Sequence, residues 1–385
     1  MKLGDICSYR TTKFDASEIR DDDLYISTES MAPNRGGVSR ATNIPESGKV
    51  TAYKQGDTLI SNIRPYFKKV WQASCDGYCS NDVLVMSATE SNVDYLYWLT
   101  SSDSFFDYVM ATAKGTKMPR GDKTAIMNFE IPPVNSLVQR QIVAALNPIR
   151  KKISINAKLN GYLEELLFSK YNEMFPDSAN FTGVLSDVGE IIGGATPSKK
   201  KPEYYCSNGI GWITPRDLSN TSNKFIAHGA DDITDAGYAS CSVKLLPKGS
   251  VLFSSRAPIG YIAIATDAVT TNQGFKSVIP KEEIGTAFVY CFLVRNKQRI
   301  ADMGAGTTFP ELSSKMMKSV ELAVPKQSTC AKFASFAAPI FKQQEALERE
   351  NDELTALRDT LLPKLLSGEI DVSKVDLTQL NSHLV

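Results

Sequence analysis

Two stretches of this chain carry residues at alternating steps of three and four, the spacing that draws one line along a helix. In the first stretch the line is Ile142, Leu146, Ile149, Ile153, Asn156, Asn160, Leu163 and Leu167, which predicts a helix over about 138–171. In the second it is Ile340, Gln344, Leu347, Asn351, Leu354, Arg358 and Leu361, within a helix over about 330–366 that Gly368 closes. Such a line is the a/d seam of a coiled coil. Pro148 falls about a turn inside the first stretch, so a kink or a late helix start is expected there. Asn160 and Asn351 hold equivalent places in the two seams. An amide in a seam either fixes register and partner orientation or sits solvated at a frayed edge. Leu159, Leu166, Phe336, Leu357, Leu362 and Leu365 lie off the seams. They either offer a docking surface to another protein or pack on the adjoining globular regions.

The two helices belong to a larger repetition. Gly56-Asp57-Thr58-Leu59-Ile60-Ser61-Asn62 parallels Gly249-Ser250-Val251-Leu252-Phe253-Ser254-Ser255, each a turn glycine followed by a short apolar strand. Pro65 then matches Pro258. Farther on, Gly115-Thr116-Lys117-Met118-Pro119 lies against Gly306-Thr307-Thr308-Phe309-Pro310, and Glu130-Ile131 against Glu321-Leu322. The match runs on through Ile142 and Phe333, Pro148 and Pro339, Ile149 and Ile340, and Leu163 and Leu354, at an offset of about 191 residues. A period near half the chain is a tandem duplication, in which each copy is a mixed α/β region followed by one long helix. The segments are residues 1–135, 136–176, 177–325 and 326–370, with a tail at 371–385.

Composition narrows the possibilities. With 385 residues, 42% hydrophobic and 22% charged, the chain can bury two or three cores. No apolar run approaches a membrane span and the first residues lack a secretory segment, so a soluble cytoplasmic protein is expected. The seven cysteines are an odd, scattered set that suits a reducing compartment. Cys75 and Cys79 form their only close pair, and with two histidines in the chain no metal site is expected. The formal net charge is +0, whereas a free-standing nucleic-acid binder usually carries a basic excess. Basic residues gathered on one face, or supplied by a partner, would be needed for such a role.

Several motifs resemble a known family. Gly193-Gly194-Ala195-Thr196-Pro197-Ser198, Tyr204-Tyr205 and Trp212-Ile213-Thr214-Pro215-Arg216-Asp217-Leu218 resemble the opening of a target-recognition domain. Ser254-Ser255-Arg256-Ala257-Pro258-Ile259-Gly260 resembles its middle, and residues 361–370 resemble the end of the second conserved helix. Together they resemble the specificity subunit of type I restriction-modification systems, over essentially the whole chain. The first copy departs from the pattern: Ser8-Tyr9-Arg10-Thr11-Thr12-Lys13 replaces the Gly-Gly opening, and Ser61-Asn62-Ile63-Arg64-Pro65-Tyr66 only approximates the middle motif.

The resemblance implies an α+β protein: two mixed α/β target-recognition domains separated by two long helices that form an antiparallel coiled coil, in a pseudo-twofold tandem repeat. It implies that each domain reads one half of a split, asymmetric site in double-stranded DNA. Helices of about 30 residues span about 45 Å, more than the roughly 34 Å of one DNA turn, and so suit a spacer. Two adenine-N6 methyltransferase subunits, which hold the S-adenosylmethionine, are implied as partners on the helices. A translocating nuclease subunit is an optional third. This chain would hold no cofactor of its own, and its partners would supply the missing basic surface.

DNA reading calls for cations at phosphates and planar amides or guanidiniums at base edges. In the second copy Thr196, Ser198, Lys199, Lys200, Lys201, Arg216 and Arg256 are the candidates, with the lysine run either on phosphate or simply a solvated loop. In the first they are Arg35 and Arg40 in a glycine-containing loop, then Asn62, Arg64, Lys68, Lys69, Lys117 and Arg120, with Lys114 beside them. Tyr66, Phe67 and Trp212 either stack on bases or pack a core.

Catalytic signatures are missing. The chain has no phosphate loop of the Gly-x-x-x-x-Gly-Lys-Ser/Thr type, and Ile131-Pro132-Pro133-Val134 has the wrong flanks for an adenine-methylating motif. Pro176-Asp177 lacks the Glu-x-Lys of a metal-dependent nuclease, and a histidine-based hydrolase would have only His228 or His383. No catalytic residues are expected. The competing class is a coiled-coil scaffold that binds proteins without reading DNA, which would show little salt dependence toward DNA.

Overall fold

The computed structural model describes residues 1–89, 91–177, 180–304 and 310–372. The chain forms two compact units: Met1–Ser154 with Asp352–Val385, and Ile155–Asn351. Each unit therefore takes part of both long helices, which run over Ser136–Met174 and Gln327–Ser367.

In the first unit a four-stranded sheet has the order Cys7–Tyr9, Val83–Ala88, Thr58–Ser61, Val70–Gln72, all antiparallel. A second four-stranded sheet has the order Lys13–Asp15, Lys49–Tyr53, Gly77–Cys79, Tyr25–Ile26, its last pair parallel. Thr58–Ser61 is buried along its whole length, because side chains cover both faces of that sheet. The helices Val93–Ser101 and Asp103–Ala111 lie against it and contribute Tyr95, Trp98, Phe105 and Phe106 to the core. Ile142 and Leu146 of the first long helix join that core, as do Leu362, Leu365 and Leu366 of the second.

The second unit repeats the plan. Its five-stranded sheet runs Gly189–Gly193, Lys276–Pro280, Val251–Ser255, Ile259–Ala265, Phe225–Ile226. A four-stranded sheet runs Tyr205–Cys206, Asp232–Ile233, Ile210–Ile213, Val269–Thr271. Correspondence between the units extends beyond the segments legible as a repeat. The Lys2 amide donates to Asp5 at 2.7 Å and the Val184 amide to Asp187 at 2.8 Å, and both cap a 3-10 turn. Leu3 N donates to Phe129 O and Leu185 N to Val320 O, each at 2.8 Å. Tyr25–Ile26 pairs in parallel with Tyr78 and Cys79, as Trp212 and Ile213 do with Thr270 and Thr271. The duplicated Gly-Thr turn at 306–309 lies outside the described residues, as does His383.

Both long helices begin two or three residues before the expected points and end one to three residues past them. Pro148 neither ends nor delays the first, which continues through it from Ser136. Gly368 follows the second with φ +76°, the left-handed conformation that terminates helices at low cost. Within the second unit the helices pair antiparallel: Asn156 meets Asn351, Asn160 meets Glu348, and Tyr171 packs on Phe333 with ring centroids 5.6 Å apart. The seam amides are thus engaged, not frayed. Asn160 and Asn351 each have a polar partner across the seam, though not one another. Ile149, Ile340, Leu354 and part of Leu163 are buried. Of the off-seam residues, Leu362 and Leu365 belong to the first core and Phe336 packs on the second, so these three are structural. Leu159, Leu166 and Leu357 stay exposed.

Among the described residues no helix is long and apolar enough to cross a membrane. No group of three metal-ligating side chains forms there either; Cys75 is exposed, whereas Cys79 is buried.

Candidate nucleic-acid interface

In the second unit a short loop gathers the segments that carry the sequence-predicted contacts. The loop is Thr271-Asn272-Gln273-Gly274, folded by a 2.8 Å bond from the Gly274 amide to Asn272 Oδ1. Thr271 O accepts from Ala195 N at 3.0 Å, which brings in Thr196. Asn272 N donates to Ile213 O at 3.0 Å, which brings in Thr214-Pro215-Arg216. Gly274 O accepts from Ser255 N at 2.7 Å, which brings in Arg256. Three segments separated by tens of residues thereby meet on one rim. The Thr196 hydroxyl is hydrogen-bonded to Gln273 Oε1.

Gly194 is the steric key to this arrangement. A Cβ at that position would sit 2.1 Å from Asn272 O and 2.2 Å from Thr271 O, both backbone atoms that cannot step aside. Gly194→Ala is expected to destabilise the second unit by about 1–3 kcal/mol, as overpacking does. It also pushes the Thr196 segment off the loop. A lowered melting temperature with weakened DNA binding, compared with Gly193→Ala, checks this; Gly193 has open space around its Cβ position.

The cations on this rim differ in freedom. Arg216, Lys199 and Lys200 are exposed and have no protein partner among the described residues. Ser198 is exposed beside them, and its carbonyl accepts from Lys201 N. Lys201 Nζ bonds Tyr204 Oη at 3.0 Å and stands 5.0 Å from that ring's centroid. Arg256 faces Glu311 at 3.4 Å, a loose, half-exposed pair that DNA could displace at little cost. Trp212 is core: it is 3% exposed, and its Nε1 donates to Ala195 O.

The first unit assembles its rim around residues 62–69. Asn34 N donates to Phe67 O at 2.8 Å, Arg35 N to Lys68 O at 3.0 Å, and Arg64 N to Pro119 O at 2.8 Å. The loop holding Arg35 and the turn holding Lys117 and Arg120 thus flank Arg64. Here the fold claims more of the predicted residues. The buried Arg35 guanidinium pairs with Asp103 and donates to Ser101 O, and Lys68 reaches the same Asp103 at 2.7 Å. Lys69 Nζ donates to Thr28 O at 2.7 Å, and burial lowers its pKa. Asn62 is buried, Arg40 donates to Asp23 O, Arg120 pairs with Asp82 and Lys114 with Asp122. Arg64 and Lys117 remain exposed without partners among the described residues, and Tyr66 and Phe67 are exposed beside Arg64.

Sequence reasoning missed Gln273 and its loop. The available signal was Asn272-x-Gly274 after an apolar strand, a turn signature. The position has a counterpart in the first unit, Asn81, whose amide is consumed internally by Lys13, Thr51 and Lys49 O.

Residues 182–356 match the family model described as type I restriction modification DNA specificity domain. Over 173 residues the chain is 39% identical to the MjaIX specificity subunit of Methanocaldococcus jannaschii, covering 44% of this chain and 40% of that relative. That match spans less than half of the relative's length. The HindI specificity subunit of Haemophilus influenzae is 24% identical, covering 96% of this chain and 98% of its own. The solved type I restriction-modification S subunit from M. genitalium has the same fold, with a TM-score of 0.53, 15% identity and 95% of each chain covered.

Proposed function

We propose that the chain is a type I restriction-modification specificity subunit, as its match over residues 182–356 supports, and that each of its two units reads one half of a bipartite, asymmetric site in double-stranded DNA. It does so as the non-catalytic member of a complex whose adenine-N6 methyltransferase subunits hold S-adenosylmethionine. A translocating nuclease subunit is the further partner. The observation that carries this reading is the convergence, in each unit separately, of cation-bearing loops from distant segments on one rim. Arg64 and Lys117 in one unit, and Lys199, Lys200 and Arg216 in the other, are charges that the fold leaves unspent.

Partner docking has its own support. Ile155, Leu159, Tyr162 and Leu166 of the first long helix are 49%, 40%, 66% and 50% exposed. They follow one another at steps of four, three and four, so they form a second stripe beside the buried seam. The stripe covers about 16 Å of helix. An apolar stripe of that kind fits a helix of a methyltransferase subunit.

The test compares N6-methyladenine across the genome of the source cell with and without the gene. Loss of one split motif with a fixed unread spacer supports the reading; an unchanged methylome in cells that express the chain overturns it. Binding of the assembled complex to its site carries a second check. If the five unspent cations each neutralise a phosphate, log K falls by about 4.5 per tenfold rise in salt on their account alone. Replacing all five by alanine removes that part of the slope.

A further inference from the structure

The second unit holds a buried ionic cluster that takes no part in the DNA rim. Lys224 is 8% exposed and Glu348 is 6% exposed. Lys224 Nζ pairs with Glu164 of the first long helix and donates to Gln344 Oε1 of the second at 2.6 Å. It also stands 4.7 Å from the Tyr290 ring centroid and 4.9 Å from that of Phe341. Glu348 accepts the backbone amides of Lys224 and Phe225 at 3.0 Å, and Asn160 Nδ2 at 3.2 Å. Glu164 in turn accepts Tyr290 Oη at 2.8 Å and Gln344 Nε2 at 3.1 Å.

Lys224 leads directly into the edge strand of the five-stranded sheet. Its carbonyl accepts from Ile264 N at 2.7 Å, and Phe225 and Ile226 pair in parallel with Ile264 and Ala265. The cluster therefore joins both long helices to the sheet whose loops carry Arg256 and Gln273. Burial lowers the pKa of Lys224 and raises that of Glu348, so both charges are held at a cost. Apolar contacts tolerate sliding, whereas a buried charge with directional partners allows one arrangement.

The first unit meets the same need with the polarity reversed. There the cation, Arg150, lies on the long helix and reaches Gln72 at 2.7 Å and Asp94 at 3.2 Å. It lies 4.6 Å from the Tyr97 ring centroid and 5.6 Å from that of Trp98, on the helix that corresponds to the one bearing Tyr290.

We propose that Lys224, Glu164 and Glu348 are positioning residues: they set the orientation in which the second unit's sheet presents its DNA-facing loops, and so govern discrimination at that half-site without touching DNA. This rests on the DNA-reading function proposed above.

The experiment uses the assembled complex and measures methylation of the cognate duplex against duplexes with single base changes in either half-site. Lys224→Met strands the buried Glu348 and the partly buried Glu164 and is expected to lower the melting temperature by roughly 5 °C or more. The triple variant Lys224→Met, Glu164→Gln, Glu348→Gln removes all three charges and regains most of that loss. Its discrimination at the second half-site nevertheless falls at least tenfold, with the first half-site unchanged. A triple variant that discriminates like wild type overturns the proposal. Should the triple variant fail to assemble, Glu164→Gln alone carries the same readout: relaxed discrimination supports the proposal and unchanged discrimination overturns it. If the wild-type complex itself shows no sequence preference, the DNA-reading function falls and the proposal with it.

Discussion

Replacing Leu159 and Leu166 together by aspartate is expected to abolish the proposed assembly with a methyltransferase subunit while the chain stays folded. Both side chains are at least 40% exposed, so neither supports a core of this chain. The seam residues beside them, Asn156, Asn160 and Leu167, already face the second long helix. Burying a leucine in an interface is worth about 1.5–3 kcal/mol, and a charge in its place must also be desolvated. Two such changes amount to about 4 kcal/mol or more, a loss of roughly a thousandfold in affinity. Sedimentation of the chain with the purified methyltransferase reads the loss, and far-UV circular dichroism shows whether the helices persist. Leu362→Asp is the contrasting variant: Leu362 is 2% exposed in the first core, so this change damages folding itself. Assembly at wild-type affinity by the Leu159, Leu166 variant would sink the docking assignment.

That contrast also shows what could be read from the sequence. The long helices were legible because a seam repeats over many turns, and periodicity survives any tertiary context. The off-seam leucines were not separable, because Leu159 and Leu362 differ only in what lies opposite them. The same limit applied to the cations. Arg35 and Arg64 look alike in the chain, yet Arg35 is claimed by Asp103, 68 residues away, while Arg64 is left to solvent. Side-chain chemistry is local, but whether the fold consumes it is decided by distant partners. The repeat was half legible for a related reason. Its glycines and prolines stand out, whereas the match of Tyr25-Ile26 with Trp212-Ile213 rests on two-residue strands that become visible only through their hydrogen bonds. Gln273 escaped notice because its significance is the convergence of three segments, which no local pattern encodes.

Exchanging residues 183–325 for the corresponding segment of another specificity subunit is expected to change one half of the methylated motif and leave the other half unchanged. The cut points suit the exchange. Gly183–Val184 pairs antiparallel with Glu321–Leu322, and Thr182 N donates to Leu322 O at 3.0 Å, so the ends of the segment are already joined. Both Thr196 and Arg216, together with the loop that gathers them, travel inside the segment; Arg64 and Lys117 stay behind. Among the contacts that cross the cut is the Lys224 cluster, which depends on charge at both ends. Glu164, Gln344 and Glu348 remain on the long helices, while Lys224 leaves with the exchanged segment. A donor with lysine at that position restores the cluster and is expected to yield a sharp new half-site. A donor with an apolar residue there leaves the buried Glu348 and the partly buried Glu164 without their cation, which costs roughly 3 kcal/mol and yields a weak, blurred half-site. Putting lysine into such a donor, or Glu164→Gln with Glu348→Gln into the helices, is expected to recover the lost stability; only the lysine recovers the sharp half-site. Methylome sequencing of cells carrying each chimera reads both effects at once. A change in both halves of the motif would contradict the assignment of one unit to one half-site.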